Sequence, residues 1–339
     1  MSSMTELARV TRRRLCCCLC CCLCCCLAFA SLAVSALTAD AEPYPTRPIK
    51  LIVPFPPGGP VDIMARLIGD KLSSSVGQIV VENRPGGGGT VGYKAAVNAE
   101  PDGYTLHYNG LTALSVIPAL SKSFEPDAKN AFAPVALVSS VPFVLAVAPR
   151  IPATTVAQLV AYARANPGKL NFGAPVGATP QLVGEMFKRS AGITFVTVPY
   201  RGAANSITDM LSGQIDMVFE PTSIVLAHIV GEKIRPLAVT SVWRSPYLPD
   251  LPTMVESGMP GVVAVSRTGI VAPAGTPPAI IATLNRAINV AVRSQDLRAA
   301  LQKLGAEPVG GSPQDFAASL AEEAPKWIEL VQSAGWKID

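Results

Sequence analysis

From Lys50 to Thr240, short apolar runs alternate with stretches of 3.6-residue periodicity, and few architectures accept that order. The run 50–53 is too short for a helix, 54–59 is a Pro/Gly turn, and Ile63, Met64, Leu67, Ile68 and Leu72 then share one helical face. Strand patterns at 78–82 and 104–108 enclose a helical one at 90–97. The order β, α, β, α, β is that of a parallel sheet covered by helices. Two more strands are expected at 133–138 and 143–148. A helix opened by the capping box Thr155-Val156-Ala157-Gln158 and closed at Asn166-Pro167-Gly168 follows. The alternation then restarts, with strands at 170–172, 194–198, 215–219 and 234–240 and helices at 180–191, 203–211 and 222–230. The expected fold is therefore α/β in two similar halves. The Pro-bounded segment 244–261 reads as surface connection. Helices are expected from Thr276-Pro277 to about Arg293, at 296–304, and after the cap Ser312-Pro313-Gln314-Asp315.

Residues 1–41 stand apart. Arg9, Arg12, Arg13 and Arg14 precede an uncharged stretch, 15–37, and Ala39-Asp40-Ala41 offers a small-x-small cleavage site before Glu42, the pattern of a secretory signal peptide. A retained membrane anchor is the alternative, since the stretch is long enough to span a bilayer, and the arginines fit either Sec or twin-arginine export. All nine cysteines fall between Cys16 and Cys26, interleaved only with Leu, which is no ligand-spaced framework. Removing 41 of 339 residues leaves 298 with no possible disulfide, so a large core must hold the mature chain, and the length suits two domains.

Without the four leader arginines, Glu6 and Asp40, the totals of 28 basic and 24 acidic residues become 24 and 22, a net charge of +2. That is no footprint for nucleic acid. His107 and His228, far apart and with no thiol to help, make a zinc site improbable and leave little for His-based acid/base work. No metal or cofactor is expected. Gly87-Gly88-Gly89-Thr90-Val91-Gly92 satisfies G-x-G-x-x-G, but it follows the second strand, and Asn83-Arg84-Pro85 spoils the tight turn that a dinucleotide site needs. G-x-S-x-G, H-E-x-x-H and S-x-x-K with K-T-G are absent. Glu82, Asp102, Asp216 and Glu220 sit beside strand ends, where ordinary hinge carboxylates also sit. A secreted α/β hydrolase-like enzyme and a ligand sensor without a transport role stay open beside a binding function.

What the chain has in abundance is Gly/Pro loops at strand C-termini, at 55–60, 83–89, 109–112, 173–179, 199–202 and 219–222. In open α/β sheets ligands bind outside those ends. Two such domains facing each other make a cleft that can close on a small molecule. In the first loop Pro60 suits the first helical position, and Gly58 and Gly59 leave the backbone bare at a helix N-terminus, which favours a carboxylate or phosphate. Pro56 and Pro57 have no amide to donate, so Gly58, Gly59 and the first helical residues are the expected donors. Asp62 is expected to cap the helix from the side or to accept from a ligand hydroxyl or amine. A plain βα turn is the alternative.

The segments Tyr44-Pro45-Thr46-Arg47-Pro48-Ile49, Val53-Pro54-Phe55-Pro56-Pro57-Gly58-Gly59, Val81-Glu82-Asn83-Arg84-Pro85-Gly86 and Pro101-Asp102-Gly103-Tyr104-Thr105-Leu106 open a series of motifs. Val198-Pro199-Tyr200-Arg201-Gly202, Leu211-Ser212-Gly213-Gln214-Ile215-Asp216, Leu248-Pro249-Asp250-Leu251-Pro252-Thr253 and Ala272-Pro273-Ala274-Gly275-Thr276-Pro277 continue it. In this order, over essentially the whole mature chain, they resemble the tripartite tricarboxylate transporter solute receptors, also called Bug or TctC proteins. The resemblance implies a two-domain periplasmic binding protein of type II, a Venus flytrap, that is not an enzyme. It implies a monomer in the periplasm that captures a small carboxylate for a membrane transporter or a sensor. It also implies a first domain of 42–142 with 267–339 and a second of 143–266, with crossovers near Pro142 and Arg267 and the C-terminal helices returning to the first domain.

Carried over by position, ligand-binding residues would be Phe55, Pro57, Gly58, Gly59, Asp62, Asn109 and Thr112 in the first domain. Gly177, Thr179 and Tyr200 would meet them from the second, with Phe219 and Glu220 on the wall. Ala174-Pro175-Val176-Gly177-Ala178 stands where many relatives have Ser-Pro-Gly-Val-Gly-Thr, Arg267-Thr268 where an aromatic pair is usual, Gln181 where His is common and Glu220 where Asp is common. Fewer hydroxyl donors and a longer acid point to a ligand other than the common dicarboxylates, or to weak affinity.

Overall fold

The computed structural model of the protein describes residues 44–120 and 131–333. The expected leader, its cysteines and the cleavage site lie outside the described residues. Strand β1 (Ile49–Val53) runs into helix α1 (Pro60–Ser73), which starts at Pro60 with Gly59 as its cap and buries Met64, Ala65, Ile68 and Leu72. Strands β2 (Ile79–Asn83) and β3 (Thr105–Gly110) flank β1 in parallel, and α2 (Thr90–Val97) connects them. Helix α3 (Leu111–Leu120) follows directly.

Ser139, Ser140 and Pro142 suggest a break between two strands in sequence, yet the structure has one strand there, β4 (Phe132–Val147), 16 residues long. Its first part, Phe132 to Pro142, pairs antiparallel with β9 (Val265–Pro273), and β10 (Glu307–Gly310) pairs with the same stretch. Its last part, Phe143 to Val147, pairs antiparallel with β7 (Met217–Pro221) and β8 (Arg235–Val239). Strand β5 (Asn171–Pro175) lies parallel to β7, with β6 (Val196–Tyr200) parallel outside it. The path across the strands is therefore β2-β1-β3-β9-β4-β7-β5-β6, and β4 is the strand common to both groups. Helices α4 (Val156–Ala165), α5 (Thr179–Ala191), α6 (Ala203–Leu211) and α7 (Thr222–Val230) cover the second group. Helices α8 (Pro278–Arg293), α9 (Gln295–Lys303) and α10 (Pro313–Ser333) complete the chain.

Strand parity sorts the core. Phe143, Leu145 and Val147 of β4 face one way, towards Phe172, Phe187 and Phe219. The Phe219 ring meets those of Phe187 and Phe172 edge-on at 5.6 and 6.1 Å, and burying each such ring stabilises by roughly 1.5 to 3 kcal/mol. Val144 and Ala146 face the other way, towards Ile207, Met210 and Val225 on α6 and α7. A third cluster gathers Tyr93, Leu111, Leu137, Val271 and Phe316.

Helix α10 departs from the expectation of a simple return to the first half. Its start gives Phe316 to the third cluster, whereas Trp327, Leu330 and Val331 near its end belong to the first, with Phe143 and Phe219. Pro325, which cannot donate to the turn before it, lies between the two parts. Arg267 on β9 pairs with Glu323 of α10 at 3.1 Å, and Lys326 donates to the Val263 carbonyl. No helix among the described residues is long and apolar enough to cross a membrane.

Candidate functional site

The loops at the C-terminal ends of β1, β2 and β5 come together. Gly177, just past β5, has φ +71°, and a Cβ built on it would stand 3.0 Å from the Gly88 Cα in the loop after β2. Two backbones thus touch where both residues are glycine. The Phe55 ring lies beside the next residue, Gly89, with its Cζ 3.8 Å from where a Cβ would be. On the other side the Val176 amide donates to the Tyr200 carbonyl at 3.0 Å, and the Tyr200 ring packs against Gly173 with Ser206 beside it. Ser206 in turn reaches Glu220. Neighbouring residues therefore lead from Phe55 through Gly89 and Gly88, Gly177 and Val176, and Tyr200 with Gly173 between it and Ser206, to Glu220.

The first loop is organised differently from its sequence reading. Asp62 is buried, and its carboxylate accepts from the Gly58 amide at 2.9 Å, from Arg66 at 3.1 Å and from the Asn83 amide group at 2.8 Å. Burial alone would raise its pKa, but the Arg66, Gly58 and Asn83 hydrogen bonds outweigh that and hold the carboxyl below its usual range. Gly58 is thus engaged within the loop, contrary to its expected role as an anion donor, and Asp62 acts as the loop's clasp. Gly59 caps α1 with no side-chain hydrogen bond, and Pro57 is exposed on the turn.

Asn109 is also spoken for. Its side-chain oxygen accepts from the Gly110 amide at 2.8 Å, and its NH₂ group lies 3.2 Å from His107 Nε2. His107 is fully buried, stacked on Phe132, and burial pushes its pKa down to about 4, so the ring is neutral. With Nε2 accepting from Asn109, Nδ1 carries the proton and donates to the Ile52 carbonyl at 3.2 Å. Asn109 therefore orients His107, and the His107 ring ties β3 to β1. Phe219, expected on the wall, is 0 % exposed inside the aromatic core. Thr112 is buried near the start of α3 and Thr179 opens α5, half-buried. The Tyr200 hydroxyl donates to Asp209 at 2.7 Å; burial first and that carboxylate second lift its pKa to about 12.

Ser206 has no signal in the sequence, and Gln181 and Gly88 stand out there only as a departure from relatives and as part of a glycine run. The Gln181 side-chain oxygen accepts from the Gly177 amide at 2.9 Å and so ties the second loop to the first turn of α5. Its signal was the spacing of four residues, which puts one helical turn between loop and partner. Gly92 explains the dinucleotide-like spacing: a Cβ there would lie 2.8 Å from Pro54 Cα and 3.0 Å from the Arg84 carbonyl oxygen, so the glycine lets α2 press against the β1 loop.

Three of the four strand-end carboxylates are held in ion pairs. Glu82 meets Lys50 and Arg84, Asp102 meets Arg47 at 2.7 Å, and Asp216 accepts from Arg150 at 2.7 Å and from the Asn171 amide at 2.8 Å. Glu220 is the exception. It is fully buried, its one hydrogen-bond partner among the described residues is Ser206 at 3.2 Å, and burial lifts its pKa to about 8, so it is mostly protonated at pH 7.

The model of the family described as "Tripartite tricarboxylate transporter family receptor" matches residues 64–336. Protein BugT of Bordetella pertussis is 37% identical over 317 residues, covering 91% of this chain and 96% of BugT. The solved structure of R. palustris Rpa4515 with adipate superposes with a TM-score of 0.81 at 35% identity, covering 86% of this chain and 98% of that one. MatC from Rhodopseudomonas palustris with bound malate gives 0.79 at 29% identity, covering 85% and 100%.

Proposed function

This chain belongs to the tripartite tricarboxylate transporter family of receptors, and from that premise we propose that its facing strand-end loops close on a small carboxylate. It is a solute-binding receptor with the two-domain periplasmic-binding-protein fold, and not an enzyme. The observation that carries the proposal is the contact of Gly88 with Gly177, because it joins loops from the two strand groups and leaves no room for a side chain between them. The adipate and malate of the two neighbours supply the chemical class.

We assign ligand contact to Phe55, Pro57, Gly59 and Thr112 on one side and to Gly177, Thr179, Tyr200 and Glu220 on the other. Gly58, Asp62 and Asn109 keep those loops in shape. The domains we infer are 42–142 with 267–339 and 143–266, joined where β4 passes Pro142 and β9 begins, with the end of α10 packed on the core of the second. Residues 1–41 direct export to the periplasm, and the receptor works as a monomer that hands its ligand to a membrane transporter or sensor.

Titration calorimetry of the mature chain against small mono- and dicarboxylates is expected to give a saturable heat with the ligand recovered unchanged; steady turnover would overturn the receptor reading. Gly177→Asn is the sharper test. Asn tolerates positive φ, so strain is small, but its Cβ must displace Gly88. Affinity for the carboxylate is expected to fall at least tenfold with the melting temperature nearly unchanged. Unaltered affinity would mean that the two loops need not meet for binding.

A further inference from the structure

The loops after β1 and β5, one in each strand group, are wired alike. Gly58 has φ +80° and its amide donates to Asp62 at 2.9 Å; Gly177 has φ +71° and its amide donates to Gln181 at 2.9 Å. In each case the acceptor lies four residues on, at the third position of a helix, α1 or α5. The cap between donor and acceptor, Gly59 or Ala178, is extended and makes no side-chain hydrogen bond. A side chain at that position of the first turn reaches back over the cap, so one device is built twice.

What stands behind the two acceptors differs. Asp62 is buried, and besides Gly58 it accepts from Arg66 and Asn83. Asn83 also donates to the Phe55 carbonyl at 3.0 Å, and its own side-chain oxygen accepts from Arg66 at 2.9 Å. Side chains of α1 and β2 thus close a ring of hydrogen bonds on the first loop. Gln181 is half-buried, and the Gly177 amide is its side chain's one hydrogen-bond partner among the described residues. The other ties of the second loop are between backbone groups, from the Val176 amide to the Tyr200 carbonyl at 3.0 Å and from the Ala178 amide to the Pro175 carbonyl at 3.3 Å. A bond to an ionised acceptor is about twice as strong as a neutral one, and members of a network reinforce one another. Opening the first loop at its glycine therefore breaks a charged network, whereas opening the second breaks one neutral side-chain bond. Gly177 is also the residue set against Gly88, so its position decides whether the two sides meet.

We propose that the first loop is a fixed abutment and the second the moving jaw of the cleft, with Gln181 as the positioning residue that sets Gly177 against Gly88. The inference rests on the carboxylate-binding reading and adds which side yields as a ligand enters and leaves.

Amide hydrogen exchange of the isotope-labelled mature chain, read residue by residue by NMR, is the test, because local opening sets its rate. Without added ligand, and corrected for intrinsic rates, Gly177 is expected to exchange about tenfold or more faster than Gly58. Gln181→Leu, which keeps the bulk and removes the acceptor, should speed exchange at Gly177 severalfold and leave Gly58 unchanged. Gln181→Glu, which gives the second loop the carboxylate that the first has, should slow Gly177 below its wild-type rate; a merely space-filling role would make the two variants alike. Saturation with the tightest binder among carboxylates from acetate to adipate should slow Gly177 about tenfold and barely move Gly58. Equal exchange at the two glycines, a Gly177 rate that ignores both substitutions, or ligand protection confined to Gly58 overturns this inference and leaves carboxylate binding standing. Absence of saturable binding by every probe overturns the carboxylate reading, and exchange in the free chain still decides which loop moves.

Discussion

Glu220→Gln is expected to raise the melting temperature, and to raise it more at pH 8 than at pH 5. The folded carboxyl titrates at about 8 because burial penalises its charge, with only the Ser206 hydroxyl to offset that, whereas in the unfolded chain it titrates near 4.5. Between those values the native state holds a proton that the unfolded state has released. The stability contributed by that proton is complete below pH 4.5 and is lost progressively as the pH rises to 8. Each unit is worth about 1.4 kcal/mol. Glutamine has no such titration, so the gap between variant and wild type should widen by roughly 4 kcal/mol from pH 5 to pH 8. Melting curves of both proteins across that window decide the matter. Parallel pH dependences would mean that Glu220 titrates normally and finds a charge partner or solvent.

Trp327→Ala should be the most damaging single truncation in the C-terminal helix. The indole is 1 % exposed and belongs to the cluster of Phe143, Phe172 and Phe219, far from it in sequence. Its Nε1–H points to Glu323 at 3.4 Å and Lys326 lies 4.9 Å above the ring, but both are minor beside the volume it fills. Removing a buried Trp costs about 3 to 5 kcal/mol, the lost transfer energy plus the cavity. A urea midpoint lowered by that amount with an unchanged slope is the expected outcome. A loss under about 1 kcal/mol would show that α10 is dispensable to this core.

The periodic helices were legible. Thr90–Val97, Ala203–Leu211 and Thr222–Val230 have the bounds that their apolar spacing and closing glycines or polar caps imply. Strand β9 was not, because Ser266, Arg267, Thr268 and Gly269 interrupt any alternation. Its pairing depends on β3 and β4, and Gly269 faces the Phe316 ring at 2.6 Å from where a Cβ would sit. Helix α3 hid behind Pro118 and β10 behind its four-residue length. In the site, the loops could be located from sequence but side-chain direction could not. Phe219 and Glu220 are adjacent, and one step along a strand sends the first into the aromatic core and the second towards α6. Likewise Asp62 and Asn109 have the chemistry of ligand contacts, and their near partners Gly58 and His107 lie only four and two residues away, but the Asn83 bond that completes the Asp62 clasp becomes visible only once β1 and β2 are side by side.

The placement of Trp327, Leu330 and Val331 also sets an order of events during synthesis. Strands β5 to β8 and their helices are contiguous in the chain, and a nascent polypeptide can assemble them as they emerge. The surface formed by Phe143, Leu145 and Phe219 nevertheless stays partly uncovered until the final turns of α10 have left the ribosome. Completion of this core therefore waits until residues 327–331 have emerged. For that whole interval the chain offers apolar surface to chaperones and to any translocation machinery that threads unfolded polypeptide.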